Sequence, residues 1–170
     1  MQKNRQLFEQ FIGQNLNGAY RFAYSYVKNQ QDAEDIVSQS VIKALSQVHR
    51  LKEITAMKSW FYRIIANSAN SYLRKGKKVV YLESEEWDVV GSVTDSYEDA
   101  DLRAQLAALP KMYREIIVLR FFEGFSLKEI SGILGININT VKTRLYKGLE
   151  ILRIDMKEEE HEKDFRRYEK

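Results

Sequence analysis

The stretch Phe125-Ser126-Leu127-Lys128-Glu129-Ile130-Ser131-Gly132-Ile133-Leu134-Gly135-Ile136-Asn137-Ile138-Asn139-Thr140-Val141-Lys142-Thr143-Arg144-Leu145-Tyr146-Lys147 decides the fold. Ser126 is placed to cap a short helix that carries Leu127, Ile130, Ile133 and Leu134 on one side. Gly135 offers the left-handed residue that ends such a helix and turns the chain sharply. Asn139 is expected to cap a second helix. In it, Val141, Leu145, Gly148, Leu149 and Leu152 share one face, and Thr140, Thr143, Arg144 and Lys147 share another. The first face is core. The second presents hydroxyls, a guanidinium and an ammonium, the groups that reach base edges and phosphates in a DNA major groove. Two amphipathic helices around a glycine turn also occur in proteins without a DNA partner, and a basic helix face is often only a solvated one. The short turn and the clean separation of apolar from basic residues favour DNA.

Composition narrows the class. The chain has 170 residues, 44% apolar, enough for one domain or two small ones. No apolar run approaches a membrane span, and the first residues lead into no signal-peptide core, so no membrane insertion and a cytoplasmic location are expected. With no cysteine, disulfides, thiolate metal sites and cysteine nucleophiles are excluded. His49 and His161 stand far apart without a ligand cluster. No phosphate-binding glycine loop or nucleophile elbow is present. No catalytic site, metal or cofactor is expected.

The net charge of +3 hides a strong pattern. Residues 1–78 carry 13 basic and 5 acidic side chains; residues 79–101 carry 8 acidic and no basic ones. Residues 102–154 return to 9 basic against 4 acidic, and the tail 155–170 has 5 against 7. Two basic blocks flank an acidic connector, which suits two nucleic-acid-facing units.

The periodicity is helical nearly throughout, and the only proline is Pro110. A first helix is expected over about residues 5–28, with Gly13 and Gly18 weakening or bending it. A second begins near Asp32, with Ala33, Ile36, Val37, Val41, Ala44, Leu45 and Val48 as its stripe. A third begins near Thr55 and ends in the basic cluster Arg74-Lys75-Gly76-Lys77-Lys78. A fourth covers about 97–108, and a fifth runs from Pro110 through Phe122, closed by Gly124. The expected fold is all-α: two small helical domains, 1–78 and 102–170, joined by the acidic linker 79–101, with the helix-turn-helix and a charged tail in the second.

Three further stretches carry a family resemblance. Asp32-Ala33-Glu34-Asp35-Ile36-Val37 with Lys43-Ala44-Leu45 is similar to the segment by which extracytoplasmic-function sigma factors dock on the RNA polymerase clamp. Ser59-Trp60-Phe61-Tyr62-Arg63-Ile64-Ile65-Ala66-Asn67 with Tyr72-Leu73-Arg74-Lys75 is similar to the segment that melts and reads the minus-ten promoter element. Leu109-Pro110, Arg114-Glu115, Leu119-Arg120 and Thr140-Val141-Lys142-Thr143-Arg144 are similar to the domain that reads the minus-thirty-five element. Order and spacing agree over about residues 5–154. One departure is Ser38-Gln39, where the family usually has Gln-Glu.

The resemblance implies a promoter-specificity subunit without its own active site. It implies core RNA polymerase (clamp and flap) and promoter DNA as partners, and an anti-sigma factor, which in this group is commonly membrane-anchored. It implies Thr140, Lys142, Thr143, Arg144 and Lys147 at the minus-thirty-five duplex. It implies Asp32, Asp35, Ile36 and Gln39 at the clamp. On the third helix, Asn67 and Asn70 are amides able to pair with unstacked bases, and Lys58, Arg63, Arg74, Lys75, Lys77 and Lys78 can neutralise phosphates. The resemblance sets Asn67 and the loop Leu51-Lys52-Glu53-Ile54 beside the base flipped from the minus-ten element. Trp60 and at least one more of Phe61, Tyr62 and Tyr72 are expected in the core. The acidic connector is expected to thread the active-site cleft and RNA exit path of polymerase. Two other readings stay open on sequence alone: an autonomous helix-turn-helix regulator with residues 1–78 as a sensing or dimerisation domain, and a pure interaction protein.

Overall fold

A computed structural model describes residues 2–76 and 100–155. The connector up to residue 99, with Lys77 and Lys78, and the tail beyond residue 155 lie outside the described residues, as does the expected path of the connector. Within them every regular element is helical: α1 (Gln2–Val27), α2 (Gln30–Gln47), α3 (Met57–Lys75), α4 (Ala100–Ala108), α5 (Lys111–Ile117), α6 (Leu127–Leu134) and α7 (Ile138–Asp155), with short 3-10 turns between α2 and α3.

The first three helices form one bundle around an aromatic core. Phe8 and Phe61 are fully buried, with ring centroids 5.3 Å apart and edge to face, and Phe11 and Trp60 pack around them. Edge-to-face rings of this kind add to what their burial alone supplies. Phe61 and Tyr62 are core outright; Trp60 and Tyr72 are half-buried against it. Helix α1 runs unbroken through Gly13 and Gly18 and ends where Lys28 takes a positive φ of 53°. Asn29 then caps α2, its side-chain oxygen accepting from the Asp32 N–H at 3.0 Å. The helix therefore starts two residues earlier than the acidic cluster suggests. Asp32 falls in its first turn, where the helix dipole favours negative charge. Asn4 ties the far end of α2 to α1 by donating to the carbonyls of Val48 and Leu51.

In the second unit, Arg114 is buried because it serves as an internal cap. Its guanidinium donates to the carbonyls of Ala107 and Leu109 at 3.2 and 2.9 Å, satisfying the C-terminal end of α4. Helix α5 is shorter than the pattern predicts. After Ile117 the chain widens into a π-helical turn, Val118–Phe122, in which the Glu123 N–H reaches back to the Val118 carbonyl. Such turns insert an extra residue without breaking the apolar face. Val118 and Leu119 stay fully buried while Glu123 is brought inside, 7% exposed. Gly124, at φ 76°, then redirects the chain into α6.

The two units pack against each other. The Tyr26 hydroxyl of α1 donates to Glu115 of α5 at 2.6 Å, and Lys28 donates to the Ala107 carbonyl. Tyr62 of α3 meets Phe125 with ring centroids 5.0 Å apart. Burial pushes the Glu115 carboxyl above its ordinary 4.5, while the Tyr26 hydrogen bond and the cations Lys111, Arg144 and Arg114 act against that rise. The native state therefore holds a proton more tightly than the unfolded chain. The charge of Glu115 costs stability as pH rises above 4.5. Glu115→Gln keeps an acceptor for Tyr26 and removes that charge. Its melting temperature should gain on wild type as pH rises above 4.5, until the native carboxyl has ionised, and the gap should then level off. A difference that does not change with pH would contradict this assignment.

Candidate nucleic-acid interface

Helix α6 opens with a reciprocal cap. The Ser126 Oγ accepts from the Glu129 N–H at 3.1 Å and donates to the Glu129 carboxylate at 3.1 Å. It closes on Gly135 at φ 67°, whose N–H bonds to the Ser131 carbonyl. Ser131 reinforces the turn by donating to the Ile136 carbonyl. The second helix is capped by Asn137 and not by Asn139: the Asn137 side chain accepts from the Asn139 N–H at 2.8 Å. Asn139 lies inside α7, and its carbonyl accepts from Thr143 Oγ1.

Val141, Leu145, Leu149 and Leu152 bury one face of α7. Gly148 lets this face lie close on α5, because a Cβ there would stand 2.8 Å from Ile117 Cδ1. The opposite face is open. Thr140, Thr143, Arg144 and Lys147 line a cavity of about 510 Å³ together with Asn139, Met112 and Tyr113. The four residues grouped by spacing thus share one groove. Lys142 is exposed but does not line it. Asn139, Met112 and Tyr113 are additions that periodicity missed. The two α5 residues belong to another helix, and Asn139 reads from its spacing as a cap. Lys147 stands 3.7 Å from Glu150, both well exposed, a contact that water and salt weaken.

On α3, Arg63, Asn67, Asn70 and Arg74 fall at spacings of four, three and four and make one stripe. Arg63, Asn67 and Arg74 are exposed, as is Lys75. Asn70 accepts a hydrogen bond from Lys111 of α5. Lys58 lies apart from the stripe: its ammonium donates to the Glu123 carbonyl at 2.8 Å and sits 4.9 Å from the Phe125 ring centroid.

On α2, Asp35 and Gln39 are exposed one turn apart. Ile42, 66% exposed, continues their face and is the most exposed large apolar side chain among the described residues. Asp32 is half-buried. Ile36 is a correction: it is 2% exposed and packed in the core, out of reach of an external partner. Among the described residues no cluster of acidic or histidine side chains could hold a metal, and no helix is long and apolar enough to cross a membrane.

A two-part helical chain whose second part is a capped helix-turn-helix has the build of a promoter-recognition subunit. The sigma-70 region 2 model matches residues 11–79 and the sigma-70 region 4 model residues 99–152. The chain belongs to the RNA polymerase sigma factors, in the extracytoplasmic-function group. It is similar to RNA polymerase sigma factor SigV of Bacillus subtilis, 47% identical over 83% of this chain and 86% of the relative. It is also similar to ECF RNA polymerase sigma factor SigW of the same organism, 30% identical over 82% and 83%. In fold it matches the sigma factor RpoE of Bartonella quintana, solved in complex with the anti-sigma factor NepR: TM-score 0.71, 24% identity, 89% of this chain and 98% of that one. CnrH, solved with the cytosolic domain of CnrY, matches at TM-score 0.62 and 20% identity, over 85% and 84%. The chain is thus a non-catalytic subunit that directs RNA polymerase to promoters.

The helix-turn-helix depends on its cap. Ser126→Ala should lower the stability of the second unit by about 0.5–2 kcal/mol, and Ser126→Asp should restore most of it. Urea denaturation followed by circular dichroism measures both. Equal losses for the two variants would show that the cap bond is not what Ser126 supplies.

Proposed function

We propose that the α7 groove reads the minus-thirty-five duplex, that the exposed α3 stripe captures single-stranded minus-ten bases, and that the Asp35-Gln39-Ile42 face of α2 docks on the polymerase clamp. The observation that carries this reading is the grouping of Thr140, Thr143, Arg144 and Lys147 on the open side of a helix whose other side is core. Arg144 is the one long cation there that is half-buried, and so held in position, as a bidentate guanine contact requires. Lys147 supplies phosphate affinity, and Lys142 reaches phosphate outside the groove. On α3, Asn67 offers an amide to a flipped base, and Arg63, Arg74 and Lys75 offer charge to the strand that carries it. Lys77 and Lys78 extend that charge in sequence. The domain boundaries 1–78, 79–101 and 102–170 belong to this reading. So do docking of the second domain on the polymerase flap and work in the cytoplasm, where core enzyme and promoter meet. An anti-sigma partner is supported by the similar fold of RpoE, solved with the anti-sigma factor NepR.

Melting a promoter costs roughly 1.4 kcal/mol per base step. The free energy of capturing flipped bases offsets part of that. Reconstituted transcription with core polymerase tests the whole reading. Without promoter-specific initiation from any element pair, it fails.

Two variants resolve the parts. Arg144→Ala should cost about 1–3 kcal/mol of promoter binding and relax preference at one upstream position. Unchanged preference on matched and mutated upstream elements would remove Arg144 from the reader. Asn67→Ala should impair initiation on duplex promoters while core binding and helix content stay unchanged. A premelted bubble should not restore it fully, since base capture is lost as well as melting. Full rescue by the bubble would leave Asn67 no part in capture.

A further inference from the structure

Gly18 lies mid-way along α1, where a glycine is the least favourable helical residue after proline. Its position has a cause 105 residues away. A Cβ on Gly18 would stand 2.5 Å from Glu123 Oε2 and 2.6 Å from the Tyr62 hydroxyl. The bare backbone leaves a seat for a carboxylate from the other unit. Glu123 fills it, its side chain 3% exposed. Arg21, one turn further along α1, donates to Glu123 Oε1 at 2.6 Å, and Tyr62 donates to Oε2 at 2.7 Å. Burial and the adjacent carboxylate push the Tyr62 hydroxyl far above its ordinary range, so it remains a proton donor. Lys58 completes the seat by holding the Glu123 carbonyl.

This packing engages the groups that promoter DNA would use. Lys58 and Asn70, both read from sequence as minus-ten contacts, are held by Glu123 and by Lys111 of the second unit. It also fixes the distance between the readers. The described residues packed as one body have a radius of gyration of about 14 Å. Two elements centred roughly 25 base pairs apart are separated by about 85 Å of duplex. A chain in this packing cannot touch both.

We propose that Glu123, seated over Gly18 and held by Arg21 and Tyr62, is an interdomain latch that keeps the free chain closed with no second protein bound, and that must release before the chain engages polymerase and promoter. The second half of this proposal rests on the promoter-reading function above. The latch suits reversal. Its partners are charged or hydroxyl groups that hydrate on separation.

The test compares the full chain with Gly18→Ala and, separately, Glu123→Ala. Alanine at 18 blocks the seat while favouring the helix that carries it, and Glu123→Ala removes the latch from a segment that water covers once the units part. Small-angle scattering of each free chain reports compaction, and association with core polymerase is timed alongside. The wild type should be compact and both variants expanded with unchanged helix content. Both variants should associate with core at least about tenfold faster, the shift expected from losing one buried charged hydrogen bond. A wild type as expanded as the variants, or variants as compact and as slow as wild type, would overturn the latch. If no chain initiates transcription with core enzyme, the promoter-reading function fails, while the scattering still decides whether the latch exists.

Discussion

The arrangement of the two units depends on a buried carboxylate whose side-chain partners among the described residues all belong to the other unit. Glu123 is carried inward by the π-helical turn after α5, and its side chain is satisfied by Arg21 and Tyr62 of the first bundle. Buried charge is tolerable only when paired and hydrogen-bonded, so this one residue commits the turn, the Gly18 seat and the orientation of Tyr62 to a common geometry. Glu115 repeats the arrangement with Tyr26 on α1. Two acids from the second unit thus find their donors on the first, and both bonds must part together if the units separate.

The division of labour between apolar and polar contacts follows from this. Within the first bundle the contacts are aromatic, with Phe8, Phe11, Trp60 and Phe61 interlocked. Within the second, α7 presses on α5 through Gly148 and buries Val141, Leu145, Leu149 and Leu152. Between the two, hydrogen bonds and the Arg21–Glu123 ion pair surround the Tyr62–Phe125 contact. The polar groups among these contacts regain water if the units part, at less cost than apolar surface does. Buried ion pairs add little net stability over a hydrophobic pair but strongly penalise wrong geometries. The latch therefore selects one closed arrangement without making it permanent.

Local chemistry was legible in the sequence and long-range pairing was not. Ser126 and Gly135 have one role each in their spacing, and the structure gives them those roles. Gly135-Ile136-Asn137-Ile138-Asn139 offers two asparagines as caps, and only the turn geometry chooses Asn137. Ile36 belongs both to the apolar stripe of α2 and to the docking motif, and its burial decides for the stripe. Ile42, outside both patterns, is exposed beside Asp35 and Gln39. Gly18 reads as a helix weakener because its reason lies in Glu123, and no periodicity connects positions so far apart. For the same reason Lys58 and Asn70 could be sorted by charge and amide character, but not by the second unit that holds them.

If the two promoter readers are held together in the free chain and part in the working complex, the distance between them must lengthen on binding. The absence of cysteine makes a direct measurement simple. A single pair of labels can be placed at Ser46→Cys on α2 and Glu150→Cys on α7, both exposed positions. Energy transfer is then recorded for the free chain, and again after core RNA polymerase and promoter DNA are added in turn. The latch requires one short separation in the free chain and a long one in the complete complex. A separation that is the same in both would contradict it.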